Sequence, residues 1–285
     1  MLFFFIFFFI NFHFSLFSYN SFRLYNYSTN LTQYFEFIYK CYNPKIIVSL
    51  TSYKYRLNTL DKVIDSIIEG SLIPDKIILT LYFKDFYLIS KEINEYLVKK
   101  NIELIIVNID IRPHKKYFFS MQKYPYDIII NIDDDIIYEK STVESLYYNY
   151  LKFPYSISAR RVNLIKYNKK TKIALNYKNW IKDYTLLKKP SFDLLATGVG
   201  GILYPPNILK IHYSLIYELN NCITSDDLFL KHRENLFKIK TVWVPNNYLM
   251  GIKTIYKQGL YDVENKINND KCLEYLLLIN YKKLI

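Results

Sequence analysis

Glycine and proline are scarce in this 285-residue chain, at six and nine residues. That excludes collagen-like and Gly/Pro-rich low-complexity architectures. Cysteine is scarcer still: Cys41, Cys222 and Cys272 are far apart, odd in number and form no CxxC pair. A zinc site, a redox motif and a disulfide framework are therefore not expected, and the sparse thiols point to a reducing compartment. There is no GxGxxG and no GKS or GKT, so neither a dinucleotide fingerprint nor a phosphate loop is present. Charge is missing from the start of the chain, where residues 1–22 hold no Asp, Glu, Lys or Arg. This segment has neither the basic region nor the small-residue cleavage site of a signal peptide. Asn11, His13 and Ser15 interrupt it well short of the roughly 20 apolar residues of a spanning helix. It reads as a candidate membrane anchor, as an apolar tail that packs on the body, or as a miscalled gene start. If it inserts, the first basic residues, Arg23 and Lys40, follow it, which favours a cytoplasmic body at the inner face of the membrane.

What the chain does have is apolar bulk and positive charge. Hydrophobic residues make up 51% and charged residues 22%, enough for a buried core and too apolar for a disordered chain. The net charge of +12 favours polyanionic partners: nucleic acid, a membrane surface of anionic headgroups, or phosphate-bearing substrates. Short lysine clusters stand at Lys115-Lys116, Lys169-Lys170-Lys172 and Lys188-Lys189. No Arg-rich arm, zinc-finger spacing or RNP-like motif accompanies them, so no dedicated nucleic-acid partner is expected.

Residues 23–43 show no period and read as a linker, and from Pro44 to the end the pattern is that of a single domain. Lys45–Leu50, Lys76–Leu81, Glu103–Asn108, Asp127–Asn131 and Ser156–Ala159 are apolar runs of strand length. Leu57, Leu60, Val63, Ile64, Ile67 and Ile68 recur at helical steps up to Gly70, and Lys91–Lys100 forms a second helix. Ser141-Thr142-Val143-Glu144 has the form of a capping box opening a helix to about Lys152. Such alternation predicts an α/β fold, a mostly parallel Rossmann-like sheet flanked by helices. Ligands on such sheets bind beyond the carboxyl ends of the strands.

Three motifs sit at those ends. Asp133-Asp134-Asp135 follows the fourth strand; Asp133 and Asp135 project the same way in an extended segment and can share one Mn²⁺ or Mg²⁺. The alternative is a plain acidic turn. Thr197-Gly198-Val199-Gly200-Gly201 places three of the six glycines in four positions, suiting close backbone approach to a ligand or a structural turn equally. Thr224-Ser225-Asp226-Asp227 either caps a helix beginning near Leu228 or points one carboxylate into a cleft.

In this order, the start of the first strand (Ile46–Ser52), NIDDDIIY, ATGVGGILYPP and SDDLFL resemble the GT-A-fold nucleotide-sugar glycosyltransferases, in particular the family-two-like bacterial enzymes that build surface polysaccharides. The resemblance covers roughly residues 44–245. It implies a metal-dependent enzyme moving a sugar, with inversion, from a nucleotide-sugar donor to a glycan or lipid-linked acceptor. Asp133 and Asp135 would hold the metal, and Asp227 would be the general base. Ser49, Thr51 and Tyr53 would line the nucleotide site with Asp134, and Lys115 or Lys116 would approach the base or diphosphate. Gly198, Gly200 and Gly201 would form the acceptor side, with Asp226 supporting the acceptor or capping the helix. The second strand departs from the pattern by showing no carboxylate before Asp85, and Asp110 is the candidate substitute. Trp180, in an Asn/Tyr/Lys-rich loop, is a candidate to stack on the acceptor sugar, and Arg160-Arg161 to bind a phosphate or form salt bridges. A nucleotidyl or phosphoryl transferase, or a non-catalytic membrane-tethered binding protein, are the competing readings.

Overall fold

The computed structural model describes residues 43–245, 253–254 and 266–283. The apolar segment 1–22 and, but for Asn43, the linker 23–43 lie outside the described residues. The described residues from Pro44 onward belong to one compact unit.

Chain order is β1 (Ile46–Thr51), α1 (Leu60–Ile68), β2 (Lys76–Tyr82), α2 (Lys91–Lys99), β3 (Glu103–Val107), α3 (Lys115–Lys123), β4 (Ile128–Asn131), β5 (Ile136–Ile137), α4 (Thr142–Lys152), β6 (Ser156–Ala159), β7 (Val162–Leu164), β8 (Leu194–Ala196), β9 (Ile202–Tyr204), α5 (Asp226–Leu236), β10 (Lys240–Trp243), β11 (Lys253–Thr254) and α6 (Lys266–Lys283). Seven strands form the main sheet in the order β10-β6-β9-β4-β1-β2-β3. All neighbours run parallel except β9, which is antiparallel to both β4 and β6. This is the α/β, mostly parallel architecture that the sequence predicts.

The pleat explains why β1 reads as an unbroken apolar run. Ile46, Val48 and Leu50 face one core with Leu60, Val63, Ile64 and Ile67 of α1. Ile47 packs on the opposite face with Ile78 and Ile129, against Met121 and Tyr124 at the α3 end. A strand covered on both faces has no polar side to alternate.

The chain leaves β1 towards β2 and β3 and returns to β4 on the other side, so strand order reverses between β1 and β4. The crevice outside the carboxyl ends of these two strands is where such sheets bind ligands.

Two expectations are corrected. Helix α4 begins where the capping box places it, but Ser141 makes no side-chain cap among the described residues, and Glu144 instead accepts a hydrogen bond from Ser71 Oγ at 2.7 Å. More consequentially, Cys222 and Cys272 are joined in a disulfide, their Cα atoms 4.8 Å apart. Helix α6, unread in the sequence, brings Cys272 to the segment preceding α5, and this pairing removes the ground for a reducing compartment. Among the described residues no helix is long and apolar enough to cross a membrane.

At the sheet edge, Glu103 opens β3 between Lys76, Lys123 and Tyr124. Burial alone would raise its carboxyl, but hydrogen bonds from these three groups outweigh it and hold the pKa at about 2, against 4.5 ordinarily. A depressed carboxylate stabilises the fold fully above about pH 4.5, and that contribution is lost as pH falls through about 2. Glu103→Gln should therefore flatten the stability profile in this window in urea titrations at graded pH. An unchanged acid slope would exclude the contribution.

Candidate active site

A cavity of about 830 Å³ opens at the reversal point, lined by residues following β1, β2, β3 and β4, by Gly198 and by Asp226 and Asp227. The Asp133-Asp134-Asp135 turn forms its floor. The Asp133 backbone N–H donates to Tyr138 Oη at 2.8 Å, which fixes the turn on the chain's way to α4.

The aspartates are compensated by cations distant in sequence. Arg56, from the 3-10 turn Lys54–Thr59 after β1, places Nη1 2.8 Å from Asp134 Oδ1 and 3.0 Å from Asp135 Oδ2. Ser52 Oγ donates to Asp134 Oδ2 at 2.6 Å. Asp134 thus has a protein partner on each oxygen, which anchors the turn, and it also lines the cavity. Lys116 Nζ lies 2.9 Å from Asp133 Oδ1 and 2.8 Å from Asp226 Oδ2. This buried ammonium bridges the aspartate turn and the start of α5.

The first turn of α3 is aimed by His114. Burial pushes its pKa down to about 4, so the ring is neutral. Its Nε2 donates to the Cys222 carbonyl at 2.9 Å, and Nδ1 meets Tyr117 Oη at 2.6 Å. These bonds tie α3 to the segment before α5, which is how Lys116 reaches Asp226.

The acid pair divides its labour. Burial opposes ionisation of Asp226, but Lys116 outweighs it and holds the carboxyl below its ordinary range. Asp226 occupies the first helical position as an ion-pair partner, not as a cap. Ser225 caps no backbone group either; its hydroxyl donates to Asn269 Oδ1 of α6 at 2.7 Å. Asp227 goes the other way: burial, then Asp226, push its carboxyl well above the usual range. Its Oδ1 is shielded from solvent without a hydrogen-bond partner among the described residues, and the Gly198 backbone hydrogen-bonds the carboxylate.

The glycine loop resolves into separate roles. A Cβ on Gly198 would stand 2.8 Å from Lys116 Nζ and 2.9 Å from Asp133 Oδ1, so a side chain there collides with the charge bridge. Gly201 alone has a left-handed φ, 85°, while Gly200 abuts the backbone of Arg160 and Arg161. Neither Gly200 nor Gly201 lines the cavity, a correction to the acceptor-side expectation.

Thr51 and Tyr53, expected at a nucleotide site, line the cavity. Thr51 Oγ1 donates to the Thr80 carbonyl at 2.7 Å, and Tyr53 lies under the Arg56 guanidinium, 5.5 Å from centroid to Cζ. Ser49 does not join them: it is fully buried in β1, opposite Asn131. Asp110 and Lys115 pair with each other on the cavity wall. Burial opposes ionisation of Asp110, but Lys115 outweighs it and lowers the carboxyl pKa. Trp180 is also misplaced by the sequence reading. It is 5% exposed, packs in the main core cluster and donates Nε1–H to the Leu175 carbonyl at 2.7 Å. Arg160 is buried on Glu139 and Thr142, whereas Arg161 lines the cavity, paired with Asp183.

The sequence reading missed Ser52, Arg56, Lys84, Asp85, Lys182 and Asn269, all on the cavity wall. Arg56 carried one legible signal, a basic residue just past the first strand of a parallel sheet. Asn269 carried none.

The residues present fit a divalent cation. Burial, then the charge of Asp133, push the Asp135 carboxyl up to about 6. Asp133 Oδ2 and Asp135 Oδ1 remain outside the Lys116 and Arg56 contacts. Two carboxylates are a sparse donor set for a closed protein cage, and among the described residues no group of three or more His, Cys, Asp or Glu is arranged to hold a metal. A pair suits an ion that completes its shell with substrate phosphates and water.

No protein-family model matches the chain, and no curated protein matches it in sequence. Among solved structures similar to it is glucosyl-3-phosphoglycerate synthase from Mycobacterium tuberculosis in complex with Mn²⁺, UDP and glucosyl-3-phosphoglycerate, at 16% identity over 47% of this chain and 49% of that chain, TM-score 0.33. Another is S. aureus TarS, residues 1–349, in complex with UDP, at 11% identity over 70% of this chain and 57% of that chain, TM-score 0.45. The chain spans about half the length of these solved structures.

Proposed function

We propose that the chain is a nucleotide-sugar-dependent glycosyltransferase of the GT-A type, moving a sugar with inversion onto a glycan or lipid-linked acceptor in surface polysaccharide synthesis. One observation carries this reading: a single cavity is lined by the Asp133/Asp135 pair and by Asp227, with Lys116 bridging Asp133 to the neighbouring Asp226. Inverting transfer needs positive charge by the leaving diphosphate and a base on the opposite face.

Mn²⁺ or Mg²⁺ held by Asp133 and Asp135 would neutralise the charge of the departing nucleotide. Asp227 takes the proton of the acceptor hydroxyl as it attacks the anomeric carbon. Asp226, whose carboxyl Lys116 holds below its ordinary range, is the weaker base for that proton. Gly198 lets the loop approach Asp227 and hold it by a backbone hydrogen bond.

Asp135→Ala should abolish Mn²⁺-dependent binding of a UDP- or GDP-sugar, read by titration calorimetry, while the variant still unfolds cooperatively. Transfer should stop in EDTA and return with Mn²⁺. Full turnover in EDTA would refute the metal assignment.

A further inference from the structure

We infer that the insertion between β7 and β8, residues 165–193, is a docking surface for a bilayer of anionic lipids, set at the mouth of the cavity. Its role in presenting an acceptor rests on the proposed glycosyl transfer, whereas the docking itself does not.

The charge of the chain is concentrated here. The insertion holds eight lysines against Asp183 and Asp193, a net +6 in 29 residues, half the net charge of all 285. Lys169, Lys170, Lys172, Lys178, Lys182, Lys188 and Lys189 are exposed. An ordered scaffold presents them. Leu164 bridges Ile181, Tyr167 bridges Ala174, and Ser191 bridges Thr241 of β10. Asn168 Oδ1 accepts the backbone N–H groups of Lys170 and Thr171, forming a tight turn with Lys169, Lys170 and Lys172 at its tip. Trp180 pins the middle of the insertion into the core.

Charge alone would suit any polyanion; the apolar side chains decide among them. Leu186 is 80% exposed, and Ile173, Ile181, Tyr167 and Phe192 are each about two-fifths exposed. Five of the nineteen exposed large apolar side chains among the described residues therefore interleave with these lysines. A soluble acidic polymer gains nothing from Leu186. A bilayer takes up both kinds of group, headgroup phosphates meeting the ammonium groups and the acyl boundary meeting Leu and Ile. The surface is continuous with the site, because Tyr177 and Lys182 of the insertion line the cavity beside Arg161.

The test is co-sedimentation of the full chain with phosphatidylcholine vesicles, and with vesicles containing about one third phosphatidylglycerol. A triple variant, Lys169→Glu, Lys170→Glu and Lys172→Glu, reverses the tip without touching the cavity. The wild-type chain should bind the anionic vesicles better than the neutral ones, and the reversal should lower that binding by about tenfold or more. Leu186→Asn is the second variant, expected to weaken the same binding should the first fail to fold. Insertion by residues 1–22, which carry no charge, would act equally on both vesicle types. Equal binding of wild type and a folded variant would overturn the inference. So would binding of soluble polyphosphate with no binding of vesicles. Vesicle binding with no thermal shift by any nucleotide-sugar would instead count against the glycosyltransferase reading and leave the docking surface standing.

Discussion

Asp227→Asn should lower sugar transfer by about 10²–10⁴-fold while leaving nucleotide binding intact. The amide keeps the shape of the carboxylate but cannot take the acceptor proton. Donor binding should survive because the proposed metal site, Asp133 and Asp135, does not include Asp227. Burial and Asp226 push the Asp227 carboxyl up, and a base works only above its own pKa. The acid limb of the pH–rate profile should therefore sit above the usual carboxylate range, and the substitution should remove it. Single-turnover assays with a labelled donor give both readouts. A variant that turns over at the wild-type rate, or a product with retained anomeric configuration, would reassign the base.

Lys116→Met should destabilise the fold by about 3–5 kcal/mol, the usual consequence of removing one partner from a buried ion pair. Its side chain is 6% exposed, and it neutralises Asp133 and Asp226 together. The loss falls on the folded state, because both carboxylates hydrate freely when the chain unfolds. Adding Asp226→Asn to Lys116→Met should recover part of the stability, since one of the stranded charges is then gone; the double-mutant cycle measures the coupling. Urea midpoints supply the numbers. A loss under about 1 kcal/mol would mean that water replaces the ammonium at no cost.

The sheet was legible because its strands are short runs of Ile, Leu and Val and α1 repeats at helical steps. Asp133 and Asp135 were singled out because a parallel sheet concentrates its chemistry at strand ends, and Asp227 through the resemblance of SDDLFL; all three line the cavity. What stayed hidden depends on distance along the chain. Arg56 reaches Asp134 across 78 positions, and Ser52 reaches it across 82. No window of sequence contains such pairs. Ser49 failed for a different reason: β1 is buried on both faces, so nothing in its pattern shows which side chains point to the cavity. Trp180 failed because the loop around it is Asn- and Lys-rich, yet the bridge from Leu164 to Ile181 folds the ring into the core.

The Cys222–Cys272 cross-link turns a stretch of this chain into a ring. Its two ends are 50 positions apart, and between them lie the acid pair, all of α5 and β10. An unfolded chain so closed has fewer shapes to explore, and a loop of this length is worth about 4 kcal/mol in the loop-entropy account. Asp227 is therefore carried on a segment whose disorder is restricted even before folding. The far end of that ring is also a wall of the cavity, since Asn269 stands three residues before Cys272. Whatever keeps these two thiols oxidised thereby keeps Asp227 and Asn269 on one covalent frame.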